Sequence, residues 1–308
     1  MATSRRYRAL RVCGAVVALS AVLSPAGASA RQFSPWGPAA LEVGINSPQA
    51  DGCPIESPDG RKLYIASTRP GAVGGATDPN DIWVASRRHV KAPWSAPRHL
   101  PEPVNSAAAD FCPTPLSGGR LLFVSTRAID GACGAGDIYR TRRTEHGWRT
   151  PQNLGCVANG TGPNFAGGEF SPSLFRTRHG TFLYFSSTGL DGLDQDIYVS
   201  RMRRNGSFGP PRLVEELSTP YNDQMPNVSR NGREIVFASD RPGSLGAMDI
   251  YTAKRDRATG RWSTPRNVGS NVNTIASETR PSLSGDGKRL HFGRLGDIWV
   301  STRKHIHD

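Results

Sequence analysis

The sequence predicts an all-β protein made of a repeated four-stranded unit, and three observations carry this prediction. Glycine and proline contribute 34 and 24 of the 308 residues, which indicates many turns and few long helices. The tripeptide Asp-Ile-aromatic recurs, with 48 to 59 residues from one copy to the next. A strand-like run such as Leu-x-Phe-x-Ser comes before each copy, and four of these runs follow a turn such as Ser-Pro-Asp-Gly. The five copies begin at Asp81, Asp137, Asp196, Asp249 and Asp297.

A second repeat runs between these copies. An apolar residue is followed after five positions by Asn or Ser, after five more by Asp or Glu, and after three more by Pro. In one unit Leu154, Asn159 and Glu169 fit only with five extra residues between the Asn and the acid. Each unit thus holds four short strands, and such units repeated around an axis form a β-propeller, here with five blades. The acids that open the inner strands are Asp51, Asp110, Glu169, Asp223 and Glu278.

The two ends of the repeat region complete one blade in this prediction. The fifth Asp-Ile-aromatic copy has no outer strand before Arg303, whereas residues 33–42 look like an outer strand without its three partners. We therefore expect residues 36–42 to pair beside residues 297–302. This strand would close a single propeller that spans residues 31–303, and residues 304–308 are predicted to form a short tail.

The first thirty residues have the features of a secretory signal. Four arginines precede an apolar stretch at residues 12–23, which is too short to span a bilayer as a helix. Ala28, Ser29 and Ala30 form the small-residue cleavage site that such signals carry. We predict cleavage after residue 30 and a secreted or cell-envelope protein, with no transmembrane segment once the signal is removed.

The chain is basic, with a formal net charge of +12, and 33 of its 38 basic residues are arginine. A nucleic-acid-binding protein usually concentrates its basic residues in one stripe or patch. Here the arginines are distributed over all predicted blades, so the sequence predicts no nucleic-acid partner.

Four cysteines remain after the signal is removed, and an even number in an oxidising compartment indicates two disulfides. Cys53 and Cys112 each precede the inner-strand proline of adjacent blades, which predicts that they pair. Cys133 lies in a loop of blade two and Cys156 follows the outer strand of that blade, which predicts the second pair. No C-x-x-C motif and no neighbouring histidine supports a metal site, and we predict neither a metal nor a cofactor.

The succession of Ser-Pro-Asp-Gly, Leu-x-Phe/Ile-x-Ser-x-Arg and Asp-Ile-Tyr resembles the TolB-type, WD-repeat-like β-propeller repeat family of bacterial exported proteins, over residues 33–303. That family mostly serves as binding platforms. The resemblance therefore implies a non-enzymatic exported scaffold for a protein or a cell-envelope polymer. Blade three departs from the pattern, because Thr188 stands where Arg69, Arg127 and Arg241 stand in other blades.

Two rings of polar residues are candidate functional groups. The Asp of each Asp-Ile-aromatic tripeptide is interpreted as structural, because it recurs in every blade and can accept hydrogen bonds from loop amides. The acids that open the inner strands should surround one mouth of the channel, on the face where Arg69, Arg127 and Arg241 end the second strands. Pairing of these acids with the arginines is one interpretation. A funnel for a ligand or a cation is the other.

Two functions stay open. A platform would bind its partner at the mouth that carries the acids, where the long connector at residues 155–168 brings Asn164 and Phe165, and we expect a monomer. The alternative is a secreted glycoside hydrolase that uses carboxylates at this mouth, by analogy with other five-bladed propellers. Carboxylates that converge in a pocket would favour the enzyme, and acids each held by an arginine would favour the platform.

Overall fold

The computed structural model describes residues 32–71, 73, 80–129, 131–189 and 192–306. Within these ranges the chain forms antiparallel sheets and no α-helix, and five four-stranded blades surround a central channel as a β-propeller. The predicted fold class is confirmed. The predicted signal sequence, residues 1–30, lies outside the described residues. No helix in the described part of the chain is long and apolar enough to cross a membrane.

The strands of each blade follow the chain from the channel outwards, and two short strands precede them. The first two are β1 (Gln32–Phe33) and β2 (Ala40–Leu41). Blade one contains β3 (Asp51–Glu56), β4 (Lys62–Ser67), β5 (Asp81–Ser86) and β6 (Arg98–His99). Blade two contains β7 (Asp110–Leu116), β8 (Arg120–Ser125), β9 (Asp137–Thr144) and, both paired with β9, β10 (Gly147–Trp148) and β11 (Gln152–Asn153).

The remaining three blades repeat this order. Blade three contains β12 (Glu169–Thr177), β13 (Gly180–Ser187), β14 (Asp196–Arg201) and β15 (Arg212–Leu213). Blade four contains β16 (Asp223–Val228), β17 (Glu234–Ser239), β18 (Asp249–Lys254) and β19 (Arg266–Asn267). Blade five contains β20 (Glu278–Leu283), β21 (Arg289–Arg294) and β22 (Asp297–Thr302), and β23 (His305–Ile306) follows.

The N-terminal strand closes the ring as predicted. Ala40 of β2 pairs with Val300 of β22, so β2 is the outer strand of blade five. The junction between blades five and one is built like the others: the Asp51 amide donates to the Gly296 carbonyl at 2.7 Å, and the corresponding bonds at the other four junctions measure 2.7–2.8 Å. Beyond the blade, β1 pairs with β23, so residues 305–306 of the predicted tail form a strand pair.

The turns between the first and second strands follow the predicted chemistry. In blade one the Ser57 hydroxyl donates to the Asp59 carboxylate at 2.6 Å, and this carboxylate also accepts from the Arg61 amide at 3.1 Å. Gly60 has a φ of +68°, a conformation that glycine adopts without steric cost. The turn reverses the chain and sets the register of β3 and β4.

Strand direction divides the surface of the propeller into two faces. What we call the turn face carries the turns between first and second strands and the loops between third and fourth strands. What we call the loop face carries the loops between second and third strands and the connectors that lead into the next blade. The inner strands begin at the loop face, so the acids that open them lie there.

Candidate functional site at the loop face

Four of the five acids that open the inner strands are held by an arginine, and all five are buried. The Arg69 guanidinium lies 2.5 Å from the Asp51 carboxylate, and Arg127 lies 2.5 Å from Asp110. Arg241 pairs with Asp223 in the same way. In blade five the partner of Glu278 is Arg294, at 2.7 Å. The interpretation as acid–arginine pairs therefore describes the geometry of four blades, and these acids do not face the channel mouth as free ligands.

A repeated cradle surrounds each pair. The residue after the repeated Asn or Ser gives its amide to the acid, as Ser106 does to Asp110 at 2.7 Å, and the Ser106 hydroxyl donates to the same oxygen at 2.7 Å. The guanidinium of Arg127 also donates to the Val104 carbonyl at 2.6 Å and lies 5.4 Å from the Tyr139 ring. One arginine thus contacts the inner strand, the connector and the aromatic residue of the Asp-Ile-aromatic tripeptide. These contacts indicate a structural role for the arginine.

Blade three lacks both the arginine and the hydroxyl of this cradle. The Glu169 carboxylate accepts from the Phe165 amide at 3.1 Å and the Ser187 hydroxyl at 3.0 Å, and its Oε2 atom is buried without a hydrogen-bond partner among the described residues. Burial raises the pKa of Glu169 to about 9, and the Asp137 charge adds to the rise, although the two donated hydrogen bonds oppose it. Glu169 is therefore a neutral carboxylic acid at pH 7.

The residue that replaces the arginine is Gly189, and the prediction of Thr188 at this position is wrong. The amide of Gly189 donates to the Ser187 hydroxyl at 3.2 Å, as the Arg127 amide does to Ser125 in blade two. Gly189 has a φ of +64°, and a Cβ atom there would lie 2.3 Å from the Tyr198 hydroxyl. The Tyr198 hydroxyl therefore leaves no space for an arginine side chain at this point of blade three.

The structure corrects the role predicted for Asn164 and Phe165. Asn164 is fully buried, and it accepts from the Ile138 amide at 3.0 Å, as Asn105 does from Ile82 in blade one. Asn164 is thus the repeated Asn that stands five positions before the acid of its blade. The five extra residues precede it, and the prediction of Asn159 at this position is wrong.

Phe165 is only 5% exposed because it packs against Phe185 and Tyr198, so it cannot contact a partner. The sequence signal for the exception was available: Ser or Thr stands at the equivalent of Phe165 in the other blades, at positions 47, 106, 219 and 274.

The Asp of the Asp-Ile-aromatic tripeptides binds its own loop. Asp137 accepts from the Cys133 amide at 2.6 Å and from the Asn153 side chain at 2.6 Å. Asp249 accepts from the Leu245 amide at 2.8 Å and from Asn267 at 2.6 Å, and Asp81 accepts from the Val73 amide at 3.0 Å. Burial raises the pKa of Asp137. These contacts order the loops that form the loop face.

A third ring, which the repeat patterns did not predict as a ring, narrows the channel. The residue two positions after each acid has a positive φ of 47–56° and precedes a proline. Four of these residues, together with the five prolines, line a cavity of about 20 Å³, which holds about one water molecule. Sequence spacing could have shown this ring, since its members are Cys53, Cys112, Ser171, Met225 and Arg280.

Two thiols and one guanidinium meet in this cavity. The Sγ atoms of Cys53 and Cys112 lie 2.7 Å apart as free thiols, and the Ser171 hydroxyl donates to Cys112 at 3.6 Å. Burial raises the pKa of the Cys53 thiol well above its usual range. For Cys112 burial also raises the pKa and is the largest single effect. The Cys53 hydrogen bond, the Arg280 charge and the Ser171 hydrogen bonds together outweigh it and lower the pKa to about 6.

The predicted pair Cys133–Cys156 is confirmed, and the pair Cys53–Cys112 stays a prediction. The first is a disulfide with Cα atoms 5.4 Å apart. It ties the connector of blade three to the loop of blade two.

We expect that Cys53 and Cys112 join in a disulfide when the protein is oxidised by a disulfide reagent such as oxidised glutathione, because adjacent inner strands hold the two thiols within bonding reach. Alkylation under denaturing conditions should then find no free thiol, and peptide mapping without reductant should recover the two residues linked. Recovery of Cys53 linked to Cys133 or Cys156 would contradict this prediction.

Among the described residues, pairs of exposed apolar side chains, five aliphatic and one tyrosine, mark three of the five blade junctions on the loop face. At each junction one member lies in a loop between second and third strands and the other in the connector next to it. Gly246 shows how close the two come, since a Cβ atom there would lie 2.0 Å from the Ala276 carbonyl oxygen. The residues and their exposed fractions are Leu193 (76%), Tyr221 (42%), Leu245 (53%), Ile275 (92%), Leu295 (81%) and Val43 (82%).

Comparison with known proteins places the chain by fold. No family model and no curated protein matches it. Among solved structures it is similar to the catalytic domain of a Coprinopsis cinerea GH62 α-L-arabinofuranosidase, with a TM-score of 0.58, 14% identity, and coverage of 88% of this chain and 97% of that one. The α-L-arabinofuranosidase from Lactobacillus brevis matches with a TM-score of 0.52, 13% identity and coverage of 87% and 95%. TolB from Agrobacterium tumefaciens matches with a TM-score of 0.48 and 16% identity, and the match covers 86% of this chain and 79% of that one. At these identities the likeness concerns the propeller fold alone.

Proposed function

We propose that the protein is an exported, non-enzymatic binding platform of the TolB-like repeat type, which holds a protein partner on its loop face. The observation that carries the proposal is the state of the acid ring. Four of its members are neutralised by buried arginines, and the fifth, Glu169, is buried as well. Among the described residues no set of free carboxylates converges on the channel mouth.

The loop face has the chemistry of a protein-binding surface. Exposed aliphatic side chains at neighbouring junctions are typical of interaction sites, since their burial against a partner is favourable. The exposed charged residues of this face are acids, among them Glu102, Asp194 and Glu215. The matching partner presents an apolar patch with basic residues around it.

An oxidising location supports the same role. The signal-like first thirty residues predict export, and the Cys133–Cys156 disulfide is of a type that persists outside the cytosol. The disulfide holds loops of the loop face in place, which reduces the entropy that a partner would have to overcome.

We expect the double substitution Leu245→Asp with Ile275→Asp to abolish capture of the partner, because it places two charges at the centre of one apolar junction. Binding is measured by cross-linking the purified protein to proteins of the cell-envelope fraction of its source cells and quantifying the cross-linked partner. A loss of at least about tenfold is expected for burial of two aliphatic side chains. The matched control is Val90→Asp, since Val90 is 44% exposed on the turn face. Equal capture by the double variant and the native chain would contradict the proposal.

A secreted glycoside hydrolase is the second candidate, and one observation favours it. Glu169 and Asp137 are neighbouring carboxyl groups without an arginine, and the pKa of both is raised by burial. A raised pKa suits a general acid, and α-L-arabinofuranosides are the substrate class of two similar folds. Against it, both side chains are buried, and the channel cavity of about 20 Å³ beside Ser171 holds about one water molecule. Turnover of an arabinofuranoside that Glu169→Gln abolishes would overturn the platform proposal.

A further inference from the structure

The basic residues of the chain are segregated by face. Each turn between a first and a second strand, or in blade two the strand residue that follows it, carries an exposed basic side chain, so that five cations form a ring around the turn face. These residues are Arg61, Arg120, Arg178, Arg230 and Lys288. Within the described residues none of the five takes part in a salt bridge with an acid.

A second ring lies outside the first. The loops between third and fourth strands, the end of β9 and the segment that follows β22 add exposed basic residues in every blade, for example Lys91, Arg143, Arg203, Arg257 and Lys304. Exposed acids on this face are few, namely Asp59, Glu145, Asp256 and Asp286. The turn face therefore carries a large excess of positive charge.

The loop face is depleted of the same residue types. The sequence of its loops and connectors contains no arginine or lysine besides Arg69, Arg127 and Arg241, and each of these is neutralised by an acid. Of the two faces, the turn face thus carries the exposed positive charge, and further exposed arginines lie at the rim. A sequence count by blade hides this, because each blade contributes to both faces.

The arrangement of the charges indicates the shape of their partner. Cations distributed around a ring fit an extended, flat anionic surface, whereas a linear polyanion is usually bound along a track or a groove. Single-stranded nucleic acids are held by exposed aromatic side chains on which bases stack. Among the described residues Tyr221 is the only Phe, Tyr or Trp that is exposed, and it lies on the loop face.

We propose that the turn face docks on the anionic surface of a phospholipid bilayer, with arginine and lysine side chains at the level of the lipid phosphates. This goes beyond the proposed function, which concerns the opposite face. Each basic residue near such a surface strengthens binding roughly fivefold, and salt weakens the attraction. The docked disc presents its loop face away from the bilayer, where a partner can reach it.

The experiment compares two triple variants of the mature chain that lose the same number of arginines. Arg61, Arg120 and Arg230 are replaced by Gln on the turn face. The matched control replaces Arg98, Arg212 and Arg266, which are exposed on the outermost strands at the rim. Sedimentation with vesicles of phosphatidylcholine, with and without phosphatidylglycerol, measures binding, and thermal unfolding checks that both variants fold.

The native chain is expected to bind the vesicles that contain phosphatidylglycerol and not those of phosphatidylcholine alone. The turn-face variant should bind on the order of 100-fold more weakly, while the rim variant loses less than about tenfold. Equal losses in the two variants would overturn the proposal, because binding would then depend on net charge and not on the turn face. Binding to duplex DNA without binding to the anionic vesicles would also overturn it.

Discussion

Replacing Arg127 by methionine is expected to lower the free energy of unfolding by about 3–5 kcal/mol, the cost of leaving one member of a buried ion pair without its partner. Asp110 is fully buried, and Arg127 is the only cation that forms a salt bridge with it within the described part of the chain, at 2.5 Å. The variant also loses the bonds that Arg127 donates to the Pro103 and Val104 carbonyls, at 3.1 and 2.6 Å. Denaturant unfolding at neutral pH measures the effect.

Two controls separate the ion pair from the loss of an arginine as such. Arg98→Met removes an exposed arginine on an outer strand and should change the stability by less than about 0.5 kcal/mol. The double variant Arg127→Met with Asp110→Asn should be more stable than Arg127→Met alone, because no charge is then left buried. If Arg127→Met costs no more than Arg98→Met, the acid–arginine pairs do not have the structural role assigned to them.

Replacing Glu169 by glutamine is expected to change how the stability depends on pH. The pKa of Glu169 is about 9 in the folded chain and 4.5 when the group is free. Between these values the folded state keeps a proton that the unfolded state releases, so its contribution to stability is complete below pH 4.5 and is lost as the pH rises towards 9. The variant has no such proton, so its stability relative to the native chain should rise by about 1.4 kcal/mol per pH unit in this window.

Denaturant unfolding of both chains at about pH 6 and pH 8 tests this prediction. The free energy of unfolding of the variant minus that of the native chain should increase by roughly 3 kcal/mol between the two pH values. Glu278→Gln is the matched control, because it makes the same chemical change where Arg294 pairs with the acid at 2.7 Å. That variant should be destabilised, since Arg294 loses its partner. A difference between Glu169→Gln and the native chain that does not change with pH would show that Glu169 is ionised in the folded protein.

Blade three differs from the other blades at the residues around its acid, and this difference bears on function. It lacks the arginine found in the other blades, and its acid is neutral, yet nothing in the described residues opens it to solvent. Asymmetry in a repeat protein often marks a site, but here it follows from packing. Phe165 fills the space beside Glu169, and the Tyr198 hydroxyl occupies the place that a side chain at Gly189 would need.

Much of the fold could be predicted from the chain alone, because each blade is specified by short-range patterns. The Asp-Ile-aromatic tripeptide opens the third strand in every blade, and the turn before Lys62 has the sequence that a hairpin requires. The pairing of the N-terminal strand with blade five was also predictable. The last blade of the sequence lacks an outer strand, and the N-terminal segment is a single strand without partners. The assignment of Asn159 failed because an insertion can be placed on either side of a repeat residue when no contact is known.

The number of blades and the closure of the ring follow from the sequence, because they depend on repeated spacing along the chain. The pair Cys133–Cys156 was predicted from the loop positions of the two residues, and the structure shows the bond. Which groups are accessible became clear from the packing of the blades. This packing buried Phe165 and the acid ring, brought Arg280 to the two thiols in the channel, and placed exposed arginines on the turn face and at the rim but not on the loop face. The physical reason is that exposure and charge distribution depend on which end of a strand a residue occupies, and strand direction alternates within each blade.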